Sequence, residues 1–145
     1  MYGPVEAKDG YVMLATASER TFQDMATAAG RRDWLTDPRF ETIQARGVPA
    51  HMRTLDALIA AWTRGFDATP LEEMLRQAEV PTSRVYTIAD IYADPHFAAR
   101  EMLRQVPHPV LGHTTQTGVV PRLSATPGAI RHTGPETGAD GRAVL

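Results

Sequence analysis

Two histidines lie close together in the C-terminal half of the sequence, where their imidazole nitrogens could bind a metal ion. His108 and His113 flank the residues Pro-Val-Leu-Gly. A metal site needs three or four converging donors, and the other histidines are far away in sequence, at His51, His96 and His132. The sequence has no HExxH motif to supply further ligands. We therefore predict that "HPVLGH" is a turn with surface or interface histidines, and we predict no metal site.

Glu19 is the carboxylate that acid–base chemistry could use most readily. It follows an apolar segment that is predicted to be a buried strand, and it stands at the start of the next predicted helix. Functional side chains often lie at such strand-to-helix junctions in layered folds. A structural role is the alternative, because negative charge in the first turn of a helix interacts favourably with the helix dipole. The residues alone leave both roles open.

The remaining acidic residues with recognisable positions have structural explanations. Glu72 and Glu73 are predicted to lie in the first turn of a helix. Asp9, Asp37 and Asp94 each precede Gly or Pro, as turn residues do. The sequence contains no GxSxG, P-loop or GxGxxG motif. The residues thus define no nucleophile–base pair and no self-contained active site.

Composition places the chain among ordinary globular proteins. The 145 residues are 43% hydrophobic and 22% charged. The net charge of −2 gives no electrostatic reason to expect nucleic acid or an anionic membrane as partner. The chain has no cysteine, which favours a reducing, cytoplasmic location. The N-terminal residues do not resemble a secretory signal, and no apolar run is long enough to cross a bilayer.

The elements that must position Glu19 follow from apolar periodicity and from Gly and Pro. Residues 11–17 are predicted to form a buried strand. A helix follows, with Ser18 as its cap and Gly30 at its end. Its inward face is predicted to comprise Phe22, Met25, Ala26 and Ala29. A short helix is predicted to begin at Pro38.

The segment "VPAHMRTLDALIAAWTRG" has the strongest helical pattern in the chain. Its apolar stripe is predicted to comprise Met52, Leu55, Leu58, Ile59 and Trp62. If Trp62 is buried, replacing it with Ala is expected to cost about 3–5 kcal/mol.

A second helix is predicted where "TPLEEMLRQAEVP" combines three start signals. Thr69 is its predicted cap, Pro70 its first residue, and Glu72 the partner in a capping box. Its inward face is predicted to comprise Leu71, Met74, Leu75 and Ala78. "TSRVYTI" is then predicted to be a strand, followed by two short helices that are broken at Asp94-Pro95.

Extended structure is predicted for the C-terminal part. "MLRQVPHP" and "TTQTGVV" are predicted strands, and Pro and Gly recur every few residues beyond them. We predict an α+β fold with a small, mostly antiparallel sheet covered by helices on one face. Residues 1–120 are predicted to form the domain, and residues 121–145 an extended tail that packs on a partner surface.

The order of several segments resembles the C-terminal portion of the family III CoA-transferases. These segments are "KDGYVMLATASERTFQDMATAAG", "DPRFETIQARGVPAHMRTLDALIAAW", "ADPHFAAREML", "HPVLGHTTQTGVVPRLSATPG" and "GPETGADGRAVL". The family includes formyl-CoA transferase and carnitine CoA-transferase, and one branch resembles 2-methylacyl-CoA racemase. The resemblance extends from Asp9 to Leu145.

The resemblance implies transfer of coenzyme A between carboxylic acids, with an acyl-CoA thioester as substrate and no covalently bound cofactor. In the family an Asp nucleophile forms acyl intermediates, and two chains interlock as a dimer. That Asp and most of the CoA-binding surface belong to a larger domain that this sequence does not match. The chain is therefore expected to correspond to the small domain and tail, and to be inactive alone.

Two alternatives remain open. In the racemase-like branch, a Glu between the first strand and the Phe of the next helix takes part in proton transfer. Glu19 falls at that position, three residues before Phe22. The other alternative is a free-standing binding module that shares the fold and has no catalytic role.

Overall fold

The structure is a computed structural model that describes residues 2–134, 136–139 and 141–144. The chain divides into two compact units, Met1–Val85 and Tyr86–Leu145. Helices and antiparallel sheets occur together, which confirms the predicted α+β class. No helix in these described ranges combines the length and the apolar character that a membrane span requires.

The first unit contains a three-stranded antiparallel sheet and four α-helices. Its elements are β1 (Tyr2–Ala7), β2 (Gly10–Ala15), α1 (Glu19–Ala28), a 3-10 turn (Arg32–Leu35), α2 (Ile43–Arg46), α3 (Pro49–Thr63), α4 (Ala68–Gln77) and β3 (Thr82–Arg84).

Strand β2 is the central strand of the sheet, between β1 and β3. Its alternate residues Val12 and Leu14 are fully buried, whereas Tyr11 is exposed, so the helices cover one face of the sheet. The predicted strand at 11–17 is thus confirmed with slightly earlier bounds. Strand β1 pairs with β2 in register Val5↔Val12 and was not predicted, although Val5 is buried.

Helix α1 forms as predicted. The Ser18 side chain accepts a hydrogen bond from the Thr21 backbone N–H, and the Thr21 hydroxyl accepts one from the Ser18 backbone N–H. Gly30 follows the helix with φ +67°, a conformation that favours glycine. Phe22, Met25 and Ala26 are buried, so the predicted helical phase is correct.

The short helix predicted at Pro38 is wrong. The backbone N–H groups of Phe40 and Glu41 both donate to the Asp37 carbonyl, and this makes a single turn. The chain then extends at Thr42, whose side chain caps the next helix, α2, by accepting from the Ala45 N–H. Because the next helix begins at Ile43, the turn at Asp37 does not continue into a helix of its own.

The stripe predicted for α3 is partly wrong. Leu55 and Ile59 are buried as predicted, but the stripe continues to Thr63, and Met52 is 44% exposed. Leu58 and Trp62 lie at the edge of the core and are only partly buried. The stripe ends on Thr63 because its hydroxyl donates to the Glu6 carbonyl of β1 at 2.7 Å, which satisfies a polar group inside the core.

Trp62→Ala is accordingly expected to reduce the free energy of unfolding by about 1–3 kcal/mol, less than a fully buried aromatic residue would cost. The ring still packs edge-to-face on Phe66, with 5.8 Å between centroids. Urea unfolding of the variant measures the loss. Met52→Ala on the same helix is the matched control and is expected to change stability by less than about 0.5 kcal/mol.

The start predicted for α4 is also wrong. The helix begins at Ala68 with Asp67 at the N-cap position, and Asp67 makes no capping hydrogen bond with its side chain. The Ala68 N–H instead donates to the carboxylate of Asp9, in the β1–β2 turn, at 2.6 Å. Glu72 does not complete a capping box and accepts from the Arg84 backbone N–H of β3. Leu71 and Leu75 are buried as predicted.

The second unit contains a two-stranded antiparallel sheet and short helices. Its elements are α5 (Ile88–Ala93), α6 (Pro95–Ala99), β4 (Leu103–His108), β5 (Gly112–Thr117) and α7 (Gly141–Val144). The predicted break between two helices at Asp94-Pro95 is confirmed, because Asp94 is extended and its side chain caps α6 through the His96 N–H.

Residues 121–134, the first part of the predicted tail, are irregular. Leu123 is half exposed, and Ile130 is partly buried. Leu145 lies outside the described residues. The division of the chain into a domain of residues 1–120 and a tail of residues 121–145, which packs on a partner or on the larger domain that this sequence does not match, stays a prediction.

Candidate functional site

Glu19 is the first residue of α1, and its side chain reaches the start of α2. One carboxylate oxygen accepts from the Ile43 backbone N–H at 2.7 Å, and the other accepts from Nη2 of Arg46 at 2.7 Å. The Glu19 side chain is 43% exposed. Its carboxylate thus links two helices that are separated by an irregular loop.

Arg46 is the buried member of this ion pair, with 7% of its side chain exposed. Its Nη1 donates to the Phe40 carbonyl at 2.6 Å, and its guanidinium lies over the ring of Phe22 at 4.1 Å from the centroid. A stacked guanidinium is attracted by the ring quadrupole, more strongly where water is excluded. Arg46 therefore joins α1, the loop and α2 at one point.

The ion pair fixes the protonation state of Glu19. The hydrogen bond from Arg46, together with that from the Ile43 N–H, lowers the pKa of Glu19 below its ordinary value. A carboxylate with a lowered pKa is a weaker general base. In this arrangement Glu19 is a fixed anion with both oxygens engaged.

This shift predicts how stability depends on pH. Because the folded pKa of Glu19 is lowered, its contribution is present above the unfolded pKa and is lost as pH falls through the folded value. Glu19→Gln is expected to flatten the acid limb of a stability-against-pH curve below the ordinary pKa of a glutamate, about 4.5. Urea midpoints across that range test this, and an unchanged slope would show that the pair does not titrate with folding.

A second ion pair orders the loop that precedes α2. Arg39 donates through Nε and Nη2 to the carboxylate of Asp37, whose pKa is lowered to about 2 chiefly by this hydrogen bonding. His51 lies at the start of α3 with Nδ1 2.9 Å from the Ala45 carbonyl. These contacts hold the loop in place around the Glu19–Arg46 pair.

His108 and His113 lie in the β4–β5 hairpin of the second unit. Pro107 and His113 face each other across the β4–β5 hairpin, and Nδ1 of His108 accepts from the backbone N–H groups of Val110 and Leu111. The predicted turn is confirmed, and these two hydrogen bonds to His108 stabilise it. In the described part of the chain, no three His, Asp or Glu side chains converge as metal ligands.

Sequence reasoning singled out Glu19, whose catalytic role stays a prediction, and did not identify Arg46 as its partner. The surrounding residues, "IQARGVP", carry no signal that an arginine there is buried. An arginine is buried only where its donors are satisfied, and here the partners are 6 and 27 residues away in sequence. The geometry around Glu19 anchors a carboxylate and supplies no nucleophile.

The sequence and the fold define one class of protein. Residues 1–141 match CoA-transferase family III, and the chain belongs to that family.

Individual relatives are consistent with this assignment. The chain is 41% identical over 139 residues to succinyl-CoA–D-citramalate CoA-transferase of Chloroflexus aurantiacus, covering 96% of the chain and 34% of that protein. It is 34% identical over 108 residues to succinyl-CoA:mesaconate CoA-transferase of Haloarcula marismortui, covering 74% of the chain and 26% of that protein. A solved structure of a CAIB/BAIF family protein from Brucella suis superimposes with a TM-score of 0.72 at 28% identity, covering 99% of the chain and 36% of that protein. The chain thus spans between about a quarter and about a third of the length of these relatives.

Proposed function

We propose that this chain is part of an enzyme that transfers coenzyme A from an acyl-CoA thioester to a carboxylic acid. The observation that carries the proposal is its 41% identity, over almost its whole length, to succinyl-CoA–D-citramalate CoA-transferase. Both relatives cited have names with succinyl-CoA as one substrate. Succinyl-CoA is therefore the donor to test first, with small dicarboxylic and hydroxy acids as acceptors.

The proposed role of this chain is to complete the fold around the reaction rather than to supply the nucleophile. Its best-positioned carboxylate, Glu19, is held by Arg46 and has a lowered pKa. A carboxylate nucleophile must leave such contacts to attack a thioester. We accordingly propose that the nucleophilic Asp lies in a larger domain, that the whole enzyme is an interlocked homodimer in the cytoplasm, and that it has no covalently bound cofactor.

A chimeric enzyme tests the proposal. In the D-citramalate transferase, the segment aligned with this chain is replaced by the chain itself. The chimera is expected to transfer CoA from succinyl-CoA to an acceptor acid, whereas the 145-residue chain alone is expected to show no turnover. A matched chimera carrying Arg39→Ala, which removes a surface ion pair, is expected to behave like the parent chimera.

Two results would count against the proposal. Turnover by the purified chain, with contaminating enzymes excluded, would contradict its predicted inactivity alone. A chimera that folds and assembles like the parent enzyme but transfers no CoA would favour the alternative of a binding module that shares the fold.

A racemase-like role for Glu19 is a second proposal, supported by its place at the start of α1 and by its 43% exposed side chain. Exchange of the α-proton of a 2-methylacyl-CoA for deuterium in the chimera tests it. Exchange that depends on Glu19 and is lost in Glu19→Gln would support racemisation. Transfer of CoA without exchange would leave Glu19 as an anchoring residue.

A further inference from the structure

A pocket of about 410 Å³ lies wholly within the second unit. Its walls are the end of α6, strand β4 and two segments of the chain beyond β5, residues 119–123 and 127–130. The volume falls within the range of small-molecule sites. Glu19 and Arg46 are not among the residues that line this pocket.

Apolar side chains form one side of the pocket. Val106 of β4 is buried, and Val119, Leu123 and Ile130 line the opposing segments. Leu123 is 51% exposed, so apolar surface remains open to solvent there. Gly128 packs so closely on Val119 that a Cβ would lie 2.4 Å from Val119 Cγ1, which brings the two segments together. The pocket can therefore take the apolar body of a ligand.

Arginines form the other side. Arg104 Nη1 and Arg122 Nη2 each donate to a different oxygen of Glu101, at 2.9 and 2.8 Å. Arg100 also lines the pocket, and its guanidinium makes no ion pair within the described residues. Arg122 Nη1 also donates to the Arg100 carbonyl at 3.3 Å. Each guanidinium has five N–H donors, so these contacts still leave donors available on both Arg104 and Arg122.

The charge of the pocket is opposite to that of the chain. Its charged lining residues are three arginines and one glutamate, a net charge of +2, whereas the whole chain has a net charge of −2. Two guanidinium groups already converge on the carboxylate of Glu101. Arginine binds carboxylates and phosphates through paired N–H donors, so the same surface suits an external anion.

We propose that this pocket binds a small amphipathic organic anion, with its carboxylate or phosphate head on Arg100 and Arg122 and its apolar body against Val106 and Leu123. The proposal goes beyond the transfer reaction and does not depend on it. Glu101 competes with the ligand for Arg104 and Arg122, so it sets the affinity of the site.

An NMR titration of the 145-residue chain tests the proposal with four probes: hexanoate, hexyl phosphate, hexanamide and inorganic phosphate. Hexanoate or hexyl phosphate is expected to shift the amide signals of residues 100–107 and 119–130 saturably, and the stronger of the two identifies the head group. Hexanamide has no charge, and inorganic phosphate has no apolar body. Each is expected to bind at least about tenfold more weakly than the better of the two organic anions.

Matched variants locate the binding. Arg100→Gln removes no ion pair of the described chain and is expected to weaken binding about tenfold. Glu101→Gln is expected to strengthen it about threefold by releasing the arginines. Arg131→Gln makes the same charge change outside the pocket and is expected to have no effect. If Arg100→Gln does not fold, Arg122→Lys takes its place as the test. This variant keeps the charge but loses the paired donors, and it is expected to weaken binding.

Several results would overturn the proposal. Equal binding of hexanamide and hexanoate would show that the pocket binds only the apolar body and that the arginines do not recognise the charge. Equal weakening by Arg131→Gln and Arg100→Gln would show that only the general charge matters. Absence of saturable shifts at residues 100–107 and 119–130 with both organic anions would exclude the site.

Discussion

Phe22→Ala is expected to reduce the free energy of unfolding by about 3–5 kcal/mol, the cost of removing a large aromatic side chain from a packed core. Phe22 lies on the inward face of α1 and is 1% exposed. Its ring packs into the core and also carries the guanidinium of Arg46 on its face. The substitution therefore removes apolar contacts and one wall of the Arg46 site together.

Urea unfolding followed by far-UV circular dichroism measures this loss. Tyr11→Ala is the matched control, because Tyr11 is an aromatic residue of the same unit with 51% of its surface exposed. The control is expected to cost less than about 1 kcal/mol. Equal losses from both substitutions would mean that α1 does not pack with Phe22 inward.

Arg46→Ala is expected to reduce the free energy of unfolding by about 2–4 kcal/mol, which is large for the loss of an arginine. The expected loss comes from the buried hydrogen bond to the Phe40 carbonyl and from the contact with the Phe22 ring. Removing the guanidinium leaves that carbonyl without its donor, and an unsatisfied buried acceptor is costly.

Arg39→Ala is the matched control for Arg46→Ala. Arg39 also pairs with a carboxylate and also lies over a phenylalanine ring, that of Phe40 at 4.9 Å, but 49% of its side chain is exposed. Surface pairs of this kind contribute at most about 1 kcal/mol. If Arg39→Ala costs as much as Arg46→Ala, burial is not what makes Arg46 important.

Because Arg46 touches Phe22, the double variant Phe22→Ala/Arg46→Ala is expected to lose less free energy of unfolding than the sum of the two single losses.

Local sequence predicted the elements whose signals lie within the element itself. Helix α1 carries its own cap at Ser18 and its own apolar face, and both are confirmed. The break at Asp94-Pro95 is likewise a local steric effect. The α+β class follows from the sum of such signals.

The elements that were missed depend on distant partners. Strand β1 begins "YGP", with Gly and Pro that a strand usually excludes. Pro4 is tolerated because β1 is at the edge of the sheet. The start of α4 was misplaced at Thr69 because its capping carboxylate is Asp9, in another element. Neither fact can be read from the residues nearby.

The candidate site divides in the same way. Glu19 was found because its place between a strand and a helix is a local pattern. Its partner Arg46 was not, since "IQARG" predicts an exposed arginine. The lowered pKa of Glu19 follows from that unpredicted partner.

The cap that Asp9 gives to α4 has a consequence for the order of folding. The contact joins residues 59 positions apart, and the Thr63 contact with Glu6 joins residues 57 apart. Strand β3 pairs with β2 across a similar separation. Contacts between distant residues slow folding, because a long loop must close before any of them forms. On the ribosome, the β1–β2 hairpin therefore lacks the cover of α4 until residues up to Gln77 have emerged, and during that interval part of its apolar face is open to chaperones.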